Sequence, residues 1–368
     1  MNETAELLSL CQRFAVSGTP SNVVPTGSGL IHATWTVRTR EVEAPDCILQ
    51  RINDSVFPCV AELMDNIQKV TGHIRKKRGN VSHGSVLELI RTRTNETYYT
   101  DHAGNHWRMY RKISPGITYD VVPNANIARE AGRAFGQFLS DLRDLPADEI
   151  YPVIPAFHSV ELRYDQLLQA VRNNPLGRVA EVQDEIDFAH AQIDRMRIIP
   201  QLEREGRLPQ RVTHNDTKLN NVLFDENERA VCVIDLDTVM PGLSLYDFGD
   251  TIRTAANTGE EDEAQPEKTQ FSLTVFMAFS EGFLERTHGF LEPAELEHLA
   301  LSSQYMTYIM GIRFLADYIS GDVYYNIHYS GQNLRRCRAQ FRLMRRMMDQ
   351  YREAQDFIMQ FSKKLGLG

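Results

Sequence analysis

The sequence predicts a two-lobed α+β protein, with a small β-rich lobe over residues 1–113 and a larger, mostly helical lobe over 114–368. Strand-length apolar and alternating runs crowd into the first part of the chain. After Ser114-Pro115-Gly116, apolar residues instead recur at helical spacing. Pro and Gly continue neither pattern comfortably, so that tripeptide marks the boundary. A length of 368 residues suits two lobes.

In chain order, Val23-Val24-Pro25-Thr26 leads as a strand into Gly27-Ser28-Gly29, and Thr34-Trp35-Thr36-Val37 alternates as a second strand. Cys47-Ile48-Leu49-Gln50 is a third. Val60, Leu63, Met64, Ile67 and Val70 then mark a helix. Val86–Ile90, Glu96–Thr100 and Trp107–Tyr110 read as further strands, the last two joined by a tight turn at Asp101-His102-Ala103-Gly104-Asn105. In the second lobe, Ile127, Ala131, Ala134, Phe135, Phe138 and Leu142 form one apolar helix face. Ile186–Met196 and Leu301–Tyr318 supply two more, and Leu334, Cys337, Phe341, Met344, Met348 and Tyr351 predict one long terminal helix. Between the helices, Val222–Phe224 and Val231–Ile234 read as a short β-hairpin.

The chemistry concentrates in Arg211–Arg253. Asp216 is followed by Asn221 in an Asp-x-x-x-x-Asn spacing, and Asp235 ends the apolar run Val231-Cys232-Val233-Ile234. Phosphoryl transfer needs one carboxylate to orient the acceptor hydroxyl and oxygen ligands for the Mg²⁺ on the nucleotide phosphates. Asp216 suits the first task, Asn221 and Asp235 the second. Taken singly they suit a turn, a cap and a strand end; their coincidence points to a kinase. A β-rich lobe and a helical lobe would enclose ATP between them.

The segments HNDTKLNNVLFD, IDLDTVMPG, YDFGDTIR and GIRFLADYISGDVYY resemble the N-acetylhexosamine 1-kinases, within the aminoglycoside/choline kinase-like phosphotransferases. The resemblance runs from FAVSG to the terminal helix and is most specific between Thr213 and Arg253. It implies a bilobal protein-kinase-like fold, with ATP and Mg²⁺ as cofactors. The activity implied is transfer of the γ-phosphate to the anomeric hydroxyl of N-acetylglucosamine or N-acetylgalactosamine, giving the α-1-phosphate. It assigns Asp216 as base, Asn221 and Asp235 as metal ligands, and Gly27, Ser28 and Gly29 to the loop that covers the phosphates. Lys112 and Ile113, which close the small lobe, are placed with the nucleotide contacts.

The third strand departs from the wider kinase pattern. Kinases carry a phosphate-binding Lys there, whereas this chain has Gln50 on the cleft side and Arg51 on the opposite face. Lys218, two residues past the base, can neutralise charge on the transferring group or be an exposed loop lysine. Glu62 is either a relic partner for the absent Lys or a solvated helix residue. His214 reads as a buried anchor for the loop, Asp237 and Asp247 as braces through backbone amides, and Arg253 stays unassigned. For the sugar, Arg313, Asp317, Tyr324 and Tyr325 have suitable chemistry, with Arg313 and Tyr324 the chosen contacts; Arg313 and Asp317 could equally pair as i,i+4 neighbours.

Other classes fit less well. A formal net charge of -9 with pI near 5.7 opposes nucleic-acid binding. The Arg335–Arg346 series reads as a solvated face paired with acidic neighbours. The MNETAELLSL terminus lacks signal-peptide features, and Phe271–Leu284 is too short and polar to span a bilayer. Five scattered cysteines complete the expectation of a cytoplasmic enzyme with reduced thiols, no membrane partner and a small-molecule sugar substrate. Its oligomeric state is open. Two alternatives remain: an amino-alcohol or aminoglycoside kinase, or a nucleotide-holding pseudokinase. An aminoglycoside site would need an acidic pocket, for which Glu260-Glu261-Asp262-Glu263 is a candidate, unless that run is a flexible surface loop.

Overall fold

A computed structural model describes residues 3–26, 31–79 and 84–366. After helix α1 (Glu3–Cys11) come β1 (Pro20–Pro25), β2 (Ala33–Thr39), β3 (Cys47–Ile52), helix α2 (Val60–Arg78), β4 (Tyr99–Thr100) and β5 (His106–Arg111). The strands form one antiparallel sheet in the order β1-β2-β3-β5-β4. Strand alternation gives this sheet two different faces. Trp35, Val37, Cys47, Leu49, Trp107 and Met109 pack with Leu7 and Cys11 of α1 and with Phe14. On the other face Thr34, Gln50 and Arg108 stand abreast, beside Ile48 and Tyr110, towards α2 and the large lobe.

Two expected strands shrink. Only Leu89 of Val86–Ile90 makes a β-bridge, to Tyr110, and Glu96–Thr100 is reduced to β4. The Leu87 and Ser85 carbonyls accept instead from Arg75 and Arg78 of α2. Glu96 is drawn into a tight turn, where its amide donates to Thr92 Oγ1 at 2.9 Å.

The large lobe contains α3 (Ala125–Leu142), α4 (Val160–Asn173), α5 (Gln183–Met196), α6 (Ile198–Arg204), β6 (Arg211–Thr213), β7 (Val222–Phe224), β8 (Ala230–Val233) and β9 (Met240–Gly242). It continues with α7 (Ser244–Ala255), α8 (Leu273–Thr287), α9 (Pro293–Ser320), α10 (Gln332–Asp349) and α11 (Tyr351–Lys364). The expected single terminal helix is therefore two. Gln350 leaves helical geometry (φ -105°, ψ 10°) and its side chain donates to the Phe271 carbonyl. Helices α3 and α8 touch almost backbone to backbone: a Cβ at Gly132 would lie 2.1 Å from the Phe279 carbonyl oxygen. Helix α9, buried on nearly every side, is the spine of this lobe.

Helix α2 joins the lobes. Its Leu63, Met64, Ile67 and Val70 share a core with Ile52 and Tyr110 of the sheet and with Phe138, Leu142, Leu236 and Val239 of the large lobe. Buried Asn66 donates to the carbonyls of Tyr151 (2.7 Å) and Val239 (3.2 Å) and accepts from the Tyr151 amide. Glu62 is exposed, as a solvated helix residue should be. Among the described residues no helix is long and apolar enough to cross a membrane, and the five cysteines are free.

Candidate active site

Two short ribbons, β6 with β9 and β7 with β8, bring the loop 214–221 against the turn 234–239. Buried His214 anchors the loop as expected. Its Nδ1 accepts from the Asp216 amide (3.3 Å), which leaves the proton on Nε2 to donate to the Ile234 carbonyl (2.9 Å). The edges of Phe135 and Phe138 close around the ring. Asp247 braces the loop through backbone amides, accepting from His214 N at 2.9 Å and Asn215 N at 2.7 Å. Burial raises its carboxyl to about 6, while those amides favour the ionised form.

Asp216 is thereby presented at the cleft. Its Oδ2 lies 2.9 Å from Lys218 Nζ, and its backbone carbonyl accepts from Asn221 Nδ2 at 2.8 Å. Burial works against the Lys218 charge, but the Asp216, Asp250 and Asp235 carboxylates together raise its ammonium above the ordinary value. The Ile234 amide donates to the Asn221 carbonyl at 2.9 Å, which ties Asn221 to the residue before Asp235. The Asp235 residue is exposed, yet its carboxyl is crowded by surrounding protein. That crowding, with the charges of Asp237 and Asp216, raises its carboxyl to about 7.

These residues fit a magnesium–nucleotide site. Mg²⁺ is commonly held by one or two protein oxygens while substrate phosphates and water complete its shell. Asp235 and Asn221 would supply such oxygens, and a divalent cation would relieve the mutual repulsion of the carboxylates. Among the described residues no set of three or more His, Cys, Asp or Glu forms a dedicated metal cage.

Gln50 and Asp237 depart from the sequence expectation. The Gln50 amide is engaged inside the protein: Oε1 accepts from Arg108 Nε (2.9 Å) and Nε2 donates to Thr34 Oγ1 (3.1 Å). Arg108, buried on β5, directs both terminal nitrogens to the two Asp237 oxygens. His32 Nε2 donates to Asp237 Oδ2 at 2.7 Å. Asp237 is thus held by side chains rather than by backbone amides. Burial alone would raise its carboxyl, but the Arg108 guanidinium and the bonds from Arg108 and His32 keep it far below the usual carboxylate range. Gly27, Ser28 and Gly29 lie outside the described residues. Lys112 and Ile113 follow β5 directly, the Lys112 amide donating to the Asp46 carbonyl.

Arg253 lies within electrostatic reach of Asp216, and beyond it Arg163, Arg313, Tyr324 and Tyr325 form a cationic and aromatic group that Glu261 also approaches. Arg253 is bonded to Asp250 (2.8 and 3.0 Å), and both are buried. Arg313 lies 5.5–5.8 Å from the ring centres of Phe157, Tyr324 and Tyr325. It does not pair with Asp317, whose carboxylate accepts from the amides of Val323, Tyr324 and Tyr325 and from Asn333. Nearby, His158 Nδ1, Arg163 Nε and Tyr325 Oη are buried polar atoms without a hydrogen-bond partner. His158 gives its other nitrogen to the Asn215 carbonyl, and burial lowers its imidazole to about 4. The acidic run reaches the same region, its Glu261 acting on the charges of Arg253 and Tyr325. Glu261 pairs with Arg336, and Asp262 accepts from Tyr329 and Gln332, so this expected flexible loop is tied to the start of α10. Of the arginine series, Arg338 pairs with Glu185 and Arg346 with Asp349, while Arg335 and Arg345 cover aromatic rings.

Sequence reasoning missed Arg108, His32, His158 and Arg163. Arg108 alone had a signal, as a charge inside the apolar strand Trp107–Tyr110; the other three carry no local pattern.

The model of the phosphotransferase enzyme family matches residues 22–277, more than half of the chain. Among solved structures, the microcompartment-associated aminopropanol kinase superposes with a TM-score of 0.59 at 13% identity, covering 95% of this chain and 98% of its own. Spectinomycin phosphotransferase in complex with ADP and spectinomycin gives 0.55 at 12%, covering 98% of each chain. Choline kinase from Cryptosporidium parvum gives 0.56 at 13%, covering 94% and 96%. At such identities the likeness establishes the kinase-like fold.

Proposed function

The chain belongs to the phosphotransferase enzyme family, and from that premise we propose that it transfers the γ-phosphate of ATP to the anomeric hydroxyl of an N-acetylhexosamine. The observation that carries phosphoryl transfer is the convergence of Asp216, Asn221 and Asp235 at one cleft. Asp216 orients the acceptor hydroxyl and takes its proton as the new O–P bond forms and the bridge to ADP breaks. Lys218, beside it, offsets charge on the transferring group. Asp235 and Asn221 would hold Mg²⁺, which when bound would neutralise charge on the nucleotide phosphates.

The acceptor class rests on the lining. Asp216, Asp250 and Glu261 each already face a cation, whereas Arg163 and Arg313 have no carboxylate partner among the described residues. A cationic acceptor approaching to ~6 Å of either guanidinium would meet a repulsion on the order of 2–3 kcal/mol at an effective dielectric near 20. Hydroxyl and acetamide oxygens instead suit guanidinium and phenol donors. The N-acetylhexosamine motifs between Thr213 and Tyr325 supply the finer reading.

A second reading, an amino alcohol or aminoglycoside as acceptor, is favoured by the aminopropanol, spectinomycin and choline kinases that share the fold. ADP release with free N-acetylhexosamines, their methyl glycosides, amino alcohols and aminoglycosides separates the two. The expected outcome is turnover on free N-acetylhexosamine, none on the methyl glycoside, and an α-1-phosphate by ³¹P and ¹H spectra. Phosphate on C6, use of the glycoside, or preference for a cationic acceptor overturns the sugar reading.

A further inference from the structure

We propose that the buried Arg108–Asp237–His32 cluster, oriented by Gln50, fixes the Asp235 turn and thereby sets how tightly the nucleotide-bound divalent cation is held. These are positioning residues, and the inference rests on Asp235 being a metal ligand.

Asp235 stands in the left-handed region (φ 60°, ψ 62°), uncommon for a non-glycine residue although Asp tolerates it better than most. The turn that follows, Leu236–Thr238, hangs from the sheet by the Asp237 carboxylate. Both Asp237 oxygens are engaged, one by Arg108 and the other by Arg108 and His32. Each donor is itself held. Arg108 Nε is bonded to Gln50, Gln50 to Thr34, and these three residues are cross-strand neighbours on β5, β3 and β2. His32 Nδ1 accepts from the Asn53 amide at 3.0 Å, which leaves Nε2 as the donor to Asp237. The ring also stacks on Phe57. A rigid three-strand row therefore ends on the residue two past the metal ligand.

The arrangement also sorts two nearby carboxylates. Arg108 and His32 saturate Asp237, so Asp235 is the member of the pair left facing the cleft. A buried ion pair adds little net stability over apolar packing. Its physical use here is geometric, like that of the outer partners that orient metal ligands, whose loss typically weakens metal binding or activity about 10–100-fold. Sequence comparison with other kinases makes Gln50 look like a substitute for the strand lysine. The structure gives it a different task, orienting the arginine that anchors the metal turn.

The test titrates Mn²⁺ into enzyme with AMP-PNP and reads free Mn²⁺ by electron paramagnetic resonance, alongside thermal melting and the Mg²⁺ dependence of turnover. Arg108→Met leaves Asp237 buried and uncompensated, so the deciding variant is Arg108→Met/Asp237→Asn, which removes both charges together. The expected result is a rise of about 10–100-fold in the Mn²⁺ dissociation constant. His32→Phe should weaken Mn²⁺ binding in the same direction, and His32→Gln, which keeps a side-chain N–H, should largely restore it. The histidine pair decides the matter if the double variant does not fold. Unchanged Mn²⁺ affinity with only a lowered melting temperature makes the cluster a purely structural element and overturns the proposal. A wild-type enzyme that binds AMP-PNP but neither Mn²⁺ nor Mg²⁺ would instead remove the metal site, and the proposal with it.

Discussion

Asp216→Asn keeps the shape of the side chain proposed as the base and removes its ability to take a proton. The surrounding contacts predict that folding survives. The Asp216 amide bonds His214 and its carbonyl accepts from Asn221, and both are backbone groups the substitution leaves alone. What is lost is the ion pair with Lys218, whose side chain is 46% exposed. A pair that is only partly shielded from water is worth roughly 0.2–1 kcal/mol, so the melting temperature should fall by only a few degrees. Turnover should fall far more. A positioned base contributes about 10²–10⁴-fold, equivalent to roughly 2.7–5.4 kcal/mol of barrier. A loose transition state leans less on complete proton removal, which favours the lower end of that range. The assay is steady-state ADP release at saturating ATP, Mg²⁺ and acceptor, with melting and AMP-PNP binding as controls. Turnover near the wild-type value in a folded variant that binds nucleotide would take the base role away from Asp216.

Lys218→Met should lower kcat with little change in the KM for ATP, because its charge is placed beside Asp216, where the proposed mechanism puts the transferring group. A fully active variant would leave Lys218 as a loop residue that merely touches the base. Gly132→Ala probes the scaffold. Its methyl would meet the Phe279 carbonyl at 2.1 Å across two packed backbones. Helices α3 and α8 must then separate, at a cost of about 1–3 kcal/mol or more. Thermal melting should show a clear drop with unchanged KM values in the folded fraction; an unchanged melting temperature would mean that the close approach is easily relaxed.

The parts legible in the sequence share one property: their geometry is set by short stretches of chain. Asp216 and Asn221 are five residues apart on one loop, and Asp235 ends an apolar strand, so spacing alone brought the three under suspicion. Helical periodicity likewise marked α3, α5 and α9, and period-two alternation placed Gln50 and Arg51 on opposite faces of β3. Local patterns overreached where the chain's own backbone bonds were diverted, as at Val86–Ile90, whose neighbouring carbonyls are taken by arginines of α2.

Partnerships across long separations were settled only by folding. Spacing allowed Arg313 to pair with Asp317, but Asp317 turns to gather the amides of residues 323–325, and Arg313 is left among aromatic rings. Nothing in IDLD tells which aspartate faces the cleft. That depends on Arg108, 129 residues earlier in the chain, and on His32, 205 residues earlier. The local chain supplies the right side chains at the right intervals. A charge finds its partner only when sheet register and lobe packing bring both to one dry place, where leaving either unpaired would cost several kcal/mol.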